Sequence, residues 1–370
     1  MPEWAHRPAP AVAVTALPSA PALPIEAFLA QEGPILDVRS PGEFARGHIP
    51  GARSLPLFED DARAEIGTLY KQHGRTAAVL RGLELVGPRL AALAEVLRQA
   101  SQAAGGAPLR LHCWRGGQRS GSVAWLAASL DLPVVVLAGG YKAWRRRVLE
   151  RFSQPWPLRL LGGRTGCAKT ELLLALRGRG VAVLDLEGRA HHRGSSFGAL
   201  GLPPQPSTEQ YENLLAADLD ALEGAPEIWL EAESVQVGRC RIPGGLWAQM
   251  QAAPVLELRR PLEWRVRQLV AVYGIQAPAE LTAATERIAR RLGPQRTRQA
   301  LEAIARCDWA EACRQMLDYY DRCYDHELAR HPIPVSAPVD LEEDSAEAAA
   351  ERLLALGRVQ VAAAAAADRV

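Results

Sequence analysis

Short runs of apolar residues, each of a length typical of a buried strand, recur along the first part of the chain. They cover residues 35–39, 54–57, 109–112 and 134–137. Residues 81–99, which carry apolar side chains at helical spacing, and residues 120–130 are predicted helices between these strands. This alternation predicts a parallel β-sheet with helices on both of its faces.

A second alternation begins after Pro155-Trp156-Pro157, which has the composition of a linker. Its predicted strands are residues 158–161, 181–185, 227–231 and 255–258, and its first helix covers residues 170–176. From Leu262 onward the pattern is mostly helical. The chain is therefore predicted to be α/β, with a flexible leader at 1–22, domains at 23–150 and 151–260, a mostly helical extension at 261–345 and an alanine-rich tail at 346–370. We expect the tail to be a helix that frays or becomes disordered.

The composition excludes several classes of protein. The formal net charge is +1, so any basic surface for nucleic acid must be local. The six cysteines include no C-x-x-C pair, which argues against a disulfide framework or zinc ribbon and is typical of a reducing cytosol. No apolar run is long enough to cross a bilayer. We expect a cytoplasmic protein without membrane contact, and its oligomeric state stays open.

A cysteine follows the third predicted strand, in residues 112–120, His-Cys-Trp-Arg-Gly-Gly-Gln-Arg-Ser. A thiol is a good nucleophile only as a thiolate, and an ordinary cysteine is mostly protonated near neutral pH. Two glycines allow several N–H groups to face the sulfur, a helix begins just afterwards, and two arginines add positive charge. The alternative is a buried, unreactive cysteine, which this combination disfavours. The candidate catalytic residues are Cys113, Arg115, Gly116, Gly117 and Arg119.

The turn after the first strand of the second half matches the phosphate-binding pattern G-x-x-x-x-G-K-[S/T] with one departure. In that pattern backbone amides wrap phosphate oxygens, the lysine bridges them and the hydroxyl holds Mg²⁺. Ala168 replaces the last glycine; its methyl group restricts the backbone but removes no N–H donor. The candidate phosphate-binding residues are Gly163, Arg164, Thr165, Gly166, Cys167, Ala168, Lys169 and Thr170. The alternative is a glycine-rich connector with a surface lysine.

Acidic residues at strand ends are candidates for organising a Mg²⁺ ion beside Thr170. Asp185 is the better candidate and Glu231 the second, although either could instead cap a helix or form an ion pair. Residues 185–198 are rich in basic, glycine and hydroxyl residues, which suits a segment that grips phosphates or an RNA backbone. The alternative for this segment is a solvated loop.

A further polar cluster, formed by Asp37, Arg39, Glu43 and His48, is expected in the first half. We expect Asp37 and Arg39 to pair and to hold strand ends, because polar strand ends need partners.

Residues 36–44 and 47–52, together with Cys113 and, after five residues, Arg119, resemble the rhodanese family. In that family the loop cysteine carries a persulfide. The resemblance covers roughly residues 23–150 and implies that Cys113 holds a chalcogen atom.

A rhodanese-like half followed by a P-loop half resembles the bacterial tRNA 2-selenouridine synthases over nearly the whole chain. Further matches are residues 185–188, residues 192–195, Glu231-x-Glu233-Ser234 and Ile242-Pro243. The resemblance implies a rhodanese-like parallel-sheet domain, a P-loop NTPase-like α/β domain and a helical C-terminal region. The candidate contacts to substrate or RNA are Asp185, Glu187, His192, Arg193, Ser195, Glu231 and Glu233.

The same resemblance implies the reaction. Its substrate is 2-thiouridine at the wobble position of tRNA, its selenium donor is selenophosphate, and sulfur is replaced by selenium. Geranyl transfer from geranyl diphosphate turns the thiocarbonyl sulfur into a thioether, which a selenium nucleophile can displace. Lys169 would then face the diphosphate and Cys113 the selenium. The implied partners are tRNA and a selenophosphate-producing enzyme, and Mg²⁺ is a candidate ion with no firm metal site.

The sequence departs from the family pattern at Ala168 and Val235, and two other functions stay open. Val235 stands where the family usually has an arginine, and Arg239 or Arg241 could replace it. The alternatives are a rhodanese-type sulfurtransferase fused to an ATP-using kinase-like domain, and a non-catalytic RNA-binding relative. Candidate tRNA contacts in the late helices are Arg259, Arg260, Arg265, Arg267, Arg287, Arg290, Arg291, Arg296 and Arg298.

Overall fold

The computed structural model describes residues 20–329 and 338–357. These residues form two compact units, which divide between Trp144 and Arg145. The leader predicted at 1–22 lies outside the described residues up to position 19. Within the part of the chain that the structure describes, no helix is both long enough and apolar enough to span a membrane.

A five-stranded parallel sheet forms the centre of the first unit. Its strands are β1 (Ala22–Leu23), β2 (Ile35–Asp37), β3 (Arg53–Ser54), β4 (Leu109–His112) and β5 (Val134–Leu137). They lie in the order β1-β5-β4-β2-β3. The helices are α1 (Ile25–Leu29), α2 (Pro41–Arg46), α3 (Asp60–Val86), α4 (Leu90–Ala103), α5 (Gln118–Ala128) and α6 (Gly140–Arg151), which crosses into the second unit. Asp37 is in register with His112, so the loops after β2 and β4 leave the same edge of the sheet.

Local signals explain most of these elements. Strands β4 and β5 have the predicted bounds and are buried along most of their length, as expected of parallel strands covered on both faces. Ser40 and Glu43 form a capping box at the start of α2. The helix predicted at 81–99 is instead the end of α3 and the start of α4, separated by a short 3₁₀ turn (Gly87–Arg89), because Pro88 has no N–H to continue the α-helical hydrogen bonding.

The second unit is built on a four-stranded parallel sheet. Its strands are β6 (Leu158–Gly163), β7 (Ile228–Glu231), β10 (Val255–Arg259) and β11 (Val339–Asp340), in the order β11-β10-β6-β7; β8 (Gln236–Val237) and β9 (Cys240–Arg241) form a separate antiparallel pair. The helices are α7 (Lys169–Arg177), α8 (Leu186–Ala190), α9 (Thr208–Ala221), α10 (Gly244–Ala252), α11 (Leu262–Tyr273), α12 (Pro278–Leu292), α13 (Pro294–Ala305), α14 (Trp309–Ala329) and α15 (Ala346–Ala355). Both units are α/β, as predicted.

The strand predicted at 181–185 is not a regular strand. Val183 forms a single bridge to Trp229, whose backbone bonds to Ala182 and Leu184. The pairing stops there because Asp185 turns the chain and caps α8. A single bridge at the edge of the sheet therefore replaces the expected strand.

The segment expected to be a fraying tail begins with a packed helix. Ala349, Ala350 and Leu353 of α15 are fully buried in the core of the second unit, and Ser345 caps the helix. Just before α15, Val339 of β11 extends the sheet beside Leu258. The predicted helix is present over residues 346–355, but it is packed rather than frayed, because alanine side chains are small enough to let a helix pack closely. Residues 358–370 lie outside the described residues.

Candidate functional site

The cysteine loop joins β4 to α5. Cys113 is 4% exposed and contacts the apolar core of the first unit. The backbone N–H groups of Tyr141 and Lys142 donate to the carbonyls of Cys113 (2.8 Å) and Trp114 (3.0 Å). Gly140 has a φ of +59°, and a Cβ there would lie 2.4 Å from the Cys113 oxygen. The path of the loop therefore depends on a glycine outside the cysteine motif.

The thiol of Cys113 has a pKa below its ordinary value. Burial by itself raises the pKa, but the Ser120 hydroxyl donates to Sγ at 3.2 Å, and the backbone N–H groups of Ser120, Arg115 and Gly117 also lower it. These donors outweigh the burial because they stabilise the charged sulfur directly. The loop thus stabilises a thiolate, and Ser120 is a contributor that the sequence analysis missed.

The two arginines of the loop are placed differently from the expectation. Arg119 forms an ion pair with Glu43, at 2.6 Å between Nη1 and Oε2, and so ties α5 to α2. Burial acts to raise the pKa of Glu43, but the bonds from Arg119 and Ser40 outweigh it and lower the pKa. The Arg115 side chain is exposed. The main groups that lower the pKa of Cys113 are therefore hydroxyl and amide donors, rather than the guanidinium groups that the sequence analysis invoked.

A buried ion pair supports the edge of the sheet behind this loop. Arg39 Nη2 lies 2.6 Å from Asp37 Oδ2 and donates to the Gly47 carbonyl at 2.6 Å. The Arg39 guanidinium also stacks 3.7 Å above the Tyr141 ring. This confirms the expectation that Asp37 and Arg39 pair to hold strand ends.

The phosphate loop joins β6 to α7. Lys169 Nζ donates to the Gly163 carbonyl at 3.0 Å, so the lysine lies folded along the loop. Gly166 has a φ of +83°, and Ala168, directly before α7, has a φ of +56°. A left-handed backbone costs a residue with a Cβ about 1–2 kcal/mol. Ala168 thus adopts a conformation that favours glycine, with N–H groups at the helix start available for an anion.

The remaining residues of the phosphate loop have structural partners. Arg265 supports the loop from α11 by donating to the Thr165 carbonyl at 3.1 Å and pairing with Asp321 at 2.7 Å. Arg164 pairs with Asp325 at 2.7 Å. Burial raises the pKa of the Cys167 thiol, which disfavours a thiolate there.

Glu187, Glu231, Glu233 and Asp185 are close enough for their charges to influence one another, and Glu187 contacts the hydroxyl of Thr170. Thr170 Oγ1 donates to Glu187 Oε2 at 2.7 Å. Burial raises the pKa of Glu233, and it raises the pKa of the fully buried Glu231 to about 8. Asp185 accepts from the Gly188 N–H at 2.7 Å as a helix cap and pairs with Arg177. The carboxylate beside Thr170 is therefore Glu187, and Asp185 takes the structural role left open by the sequence.

The segment 185–198 is folded rather than being a solvated loop. His192 is 8% exposed, and burial lowers its pKa. Arg193 donates to the Leu200 carbonyl at 3.0 Å and lies over the Tyr273 ring. The Ser195 hydroxyl accepts from the Phe197 N–H at 3.2 Å.

A cleft of about 600 Å³ brings most of the predicted residues of the second unit together. The predicted residues on its wall are Gly163, Thr165, Gly166, Cys167, Ala168, Lys169, Thr170, Glu187, Arg193, Ser195 and Glu233. The predicted residues Arg164, Asp185, His192 and Glu231 do not line it. Arg291, which the sequence analysis named only as a candidate tRNA contact, also lines the cleft. The Tyr320–Tyr324 pair of α14 was missed, although tyrosines four apart on a helix share one face.

The arginines proposed from sequence for tRNA differ in their exposure. Arg260 and Arg265 are 8% and 4% exposed, so their guanidinium groups are not on the surface, and that part of the prediction was wrong. Arg290, Arg291 and Arg298 are exposed on α12 and α13. Neither Arg239, which bonds to Gln205 through its backbone N–H and its guanidinium, nor Arg241 lines the cleft.

Comparison with known proteins agrees with these two loops. The family model described as tRNA 2-selenouridine synthase AAA domain matches residues 156–349, and the model of a rhodanese-like domain matches residues 25–147. The tRNA 2-selenouridine synthase of Alcanivorax borkumensis is 38% identical over 334 residues, which cover 80% of this chain and 90% of that protein. The synthase of Ectopseudomonas mendocina is 37% identical over 330 residues, covering 79% and 86%. On these matches, the chain belongs to the tRNA 2-selenouridine synthase family.

Proposed function

We propose that this protein replaces sulfur by selenium in the wobble 2-thiouridine of tRNA, using selenophosphate, through an S-geranylated intermediate. The observation that carries the proposal is the pair of anion-stabilising loops in one chain. One holds a thiol of lowered pKa, and the other has the backbone and lysine of a phosphate site. The names of the relatives support the tRNA and selenium parts of the reaction.

The first step is assigned to the cleft of the second unit. The thiouridine sulfur attacks C1 of geranyl diphosphate, a C–S bond forms, the C–O bond breaks and diphosphate leaves, while the base loses its N–H proton to solvent. Lys169 and the amides at the start of α7 stabilise the charge that develops on the leaving diphosphate. The lysine must turn away from the Gly163 carbonyl to do so, which its flexible side chain allows.

The second step is assigned to the cysteine loop. The selenium of selenophosphate attacks C2 of the base, a C–Se bond forms, the C–S bond breaks and geranylthiolate leaves. Water then cleaves the P–Se bond and releases phosphate. Cys113 positions the selenium, and the donors from Ser120, Arg115 and Gly117 stabilise negative charge at that point.

Mg²⁺ fits the oxygen donors of the cleft. Among the described residues, no three or more His, Cys, Asp or Glu side chains are grouped to hold a metal ion. Mg²⁺ commonly takes only one or two protein ligands together with phosphate oxygens. We assign those roles to Thr170 and Glu187, where the ion would neutralise charge on the diphosphate.

The exposed arginines of α12 and α13 are proposed as part of the tRNA surface. A selenophosphate-producing enzyme is the proposed partner. A cytoplasmic location is consistent with six free cysteines.

The test uses thiolated tRNA incubated with the protein and geranyl diphosphate, or geranylated tRNA with selenophosphate, followed by mass spectrometry of the base. Lys169→Ala should lower geranylation by about 100-fold or more, and Cys113→Ala should abolish selenation. Lys71→Ala and Cys307→Ala change exposed residues and serve as matched controls. Unaffected selenation by Cys113→Ala would contradict the role given to the thiolate. ATP turnover without geranyl transfer would favour the kinase-like alternative.

A further inference from the structure

An apolar cavity of about 50 Å³ lies among helices α11 to α14 of the second unit. Its wall includes Phe197, Leu281, Ile304, Ala312, Met316 and Leu317, which are at most 9% exposed. Burial raises the pKa of Cys313, a further wall residue, to about 11. No charged side chain of the described residues lines the cavity.

The cavity adjoins the cleft that contains the phosphate loop. Five residues line both spaces: Thr165, Ser195, Leu269, Tyr273 and Tyr320. Thr165 belongs to the phosphate loop itself, and its carbonyl accepts from Arg265. A ligand whose phosphates lie on the loop is therefore bordered by residues that also line an uncharged space.

We propose that this cavity receives the distal end of the prenyl chain of a diphosphate bound at the phosphate loop, and that Ile304 and Ala312 set the chain length. The inference rests on the proposed geranyl transfer and adds the location and depth of the chain site. A nucleotide is the less suitable occupant, because a base and ribose carry polar groups that need partners, and these wall residues offer few.

The volumes of the cavity and the cleft indicate how many carbons of the prenyl chain each would hold. A cavity of about 150 Å³ holds a six-carbon ring, so the 50 Å³ cavity holds only a chain end of two or three carbons. The diphosphate and the remaining carbons have the cleft of about 600 Å³, which Leu174, Leu202 and Val272 also line. Met316 has an unbranched, flexible side chain that can adjust to the chain end.

Direct binding tests the site without requiring turnover. The full-length protein is titrated with inorganic diphosphate, dimethylallyl diphosphate, geranyl diphosphate and ATP. Each buried methylene contributes about a fourfold gain in affinity. Burial of two or three carbons in the cavity should therefore make geranyl diphosphate bind about 10- to 100-fold more tightly than dimethylallyl diphosphate. Ala312→Leu fills the cavity and should remove most of this difference. Ala305→Leu makes the same change at an exposed position of α13 and should leave it intact.

Chain-length selection tests the depth of the site. Ile304→Ala lengthens the cavity, and the ratio of farnesyl to geranyl transfer onto thiolated tRNA should rise about tenfold or more. Ala312→Leu gives the opposite change and keeps the test valid if Ile304→Ala does not fold.

The possible results distinguish a failure of the cavity assignment from a failure of the proposed reaction. Geranyl diphosphate that binds no more tightly than inorganic diphosphate, or equally well to Ala312→Leu and wild type, overturns the cavity assignment. ATP binding that Ala312→Leu abolishes would also overturn it. Binding of geranyl diphosphate that needs the cavity, without transfer to thiolated tRNA, keeps the cavity assignment and contradicts the proposed reaction.

Discussion

Removing the Ser120 hydroxyl is predicted to raise the pKa of the Cys113 thiol. Ser120 Oγ lies 3.2 Å from Cys113 Sγ, and both residues are buried, at 0% and 4% exposed. In Ser120→Ala the sulfur loses a donor that water cannot readily replace. The backbone N–H groups of Ser120, Arg115 and Gly117 remain, so part of the stabilisation should persist.

The size of the effect follows from the charge of the acceptor. A hydrogen bond to a charged group contributes about 1.5–3 kcal/mol, and one pKa unit corresponds to about 1.4 kcal/mol. The pKa of Cys113 should therefore rise by about one to two units in Ser120→Ala. At neutral pH the thiolate fraction, and with it the alkylation rate, should fall by about 10- to 100-fold.

The measurement is the rate of alkylation by iodoacetamide against pH, followed by mass spectrometry of the peptide that contains Cys113. Peptide resolution is needed because Cys307 and Cys323 are exposed and also react. Ser122→Ala is the matched control, since its hydroxyl donates at 2.9 Å to the Gln118 carbonyl on the exposed side of α5. An unchanged midpoint in Ser120→Ala, or an equal shift in Ser122→Ala, would refute the argument that this hydroxyl stabilises the thiolate.

Three further changes test other features. Gly140→Ala should distort the loop and slow the alkylation of Cys113, because the added Cβ would lie 2.4 Å from the Cys113 carbonyl oxygen. Gly121→Ala, where the added Cβ meets no atom within 4 Å, should not slow it, and an equal alkylation rate in Gly140→Ala and wild type would contradict the predicted clash. Ala168→Gly should stabilise the fold by about 0.5–1 kcal/mol in a denaturant titration, because relief of left-handed strain exceeds the added chain entropy; a destabilised variant would contradict this. Folding raises the pKa of Glu231 from 4.5 to about 8, so the unfolded chain loses this proton at a lower pH than the folded chain. The free energy of unfolding should therefore fall by about 5 kcal/mol as the pH rises from 4.5 to about 8. Glu231→Gln should flatten the decline, and an unchanged pH profile of unfolding would contradict the assignment.

Local signals made much of the fold predictable. The bounds of β4 and β5 match the apolar runs, and the capping box of α2 follows from Ser40 and Glu43. These features depend on residues close together in the chain. The strand expected at 181–185 depends instead on pairing with a distant segment. Only one bridge to Trp229 forms before Asp185 turns the chain into α8.

The environment of the candidate sites was less predictable, because their partners are distant in sequence. Arg119 was expected to lower the pKa of Cys113, but Glu43, 76 positions away, pairs with it. Arg265 was expected to contact RNA, but it lies beneath the phosphate loop and donates to Thr165, 100 positions away. A sequence pattern shows the type of each side chain, but it does not show which charged residue lies nearest to that side chain in the folded protein.

The sequence by itself determined that this protein carries a cysteine loop and a phosphate loop, each between a strand and a helix, since spacing and residue type are local properties. Only the tertiary structure decided which groups surround the sulfur, which carboxylate faces Thr170, and that an apolar cavity adjoins the phosphate loop. The physical reason is that burial and charge pairing depend on packing between distant segments. Such packing sets the pKa values and the ligand space from which function follows.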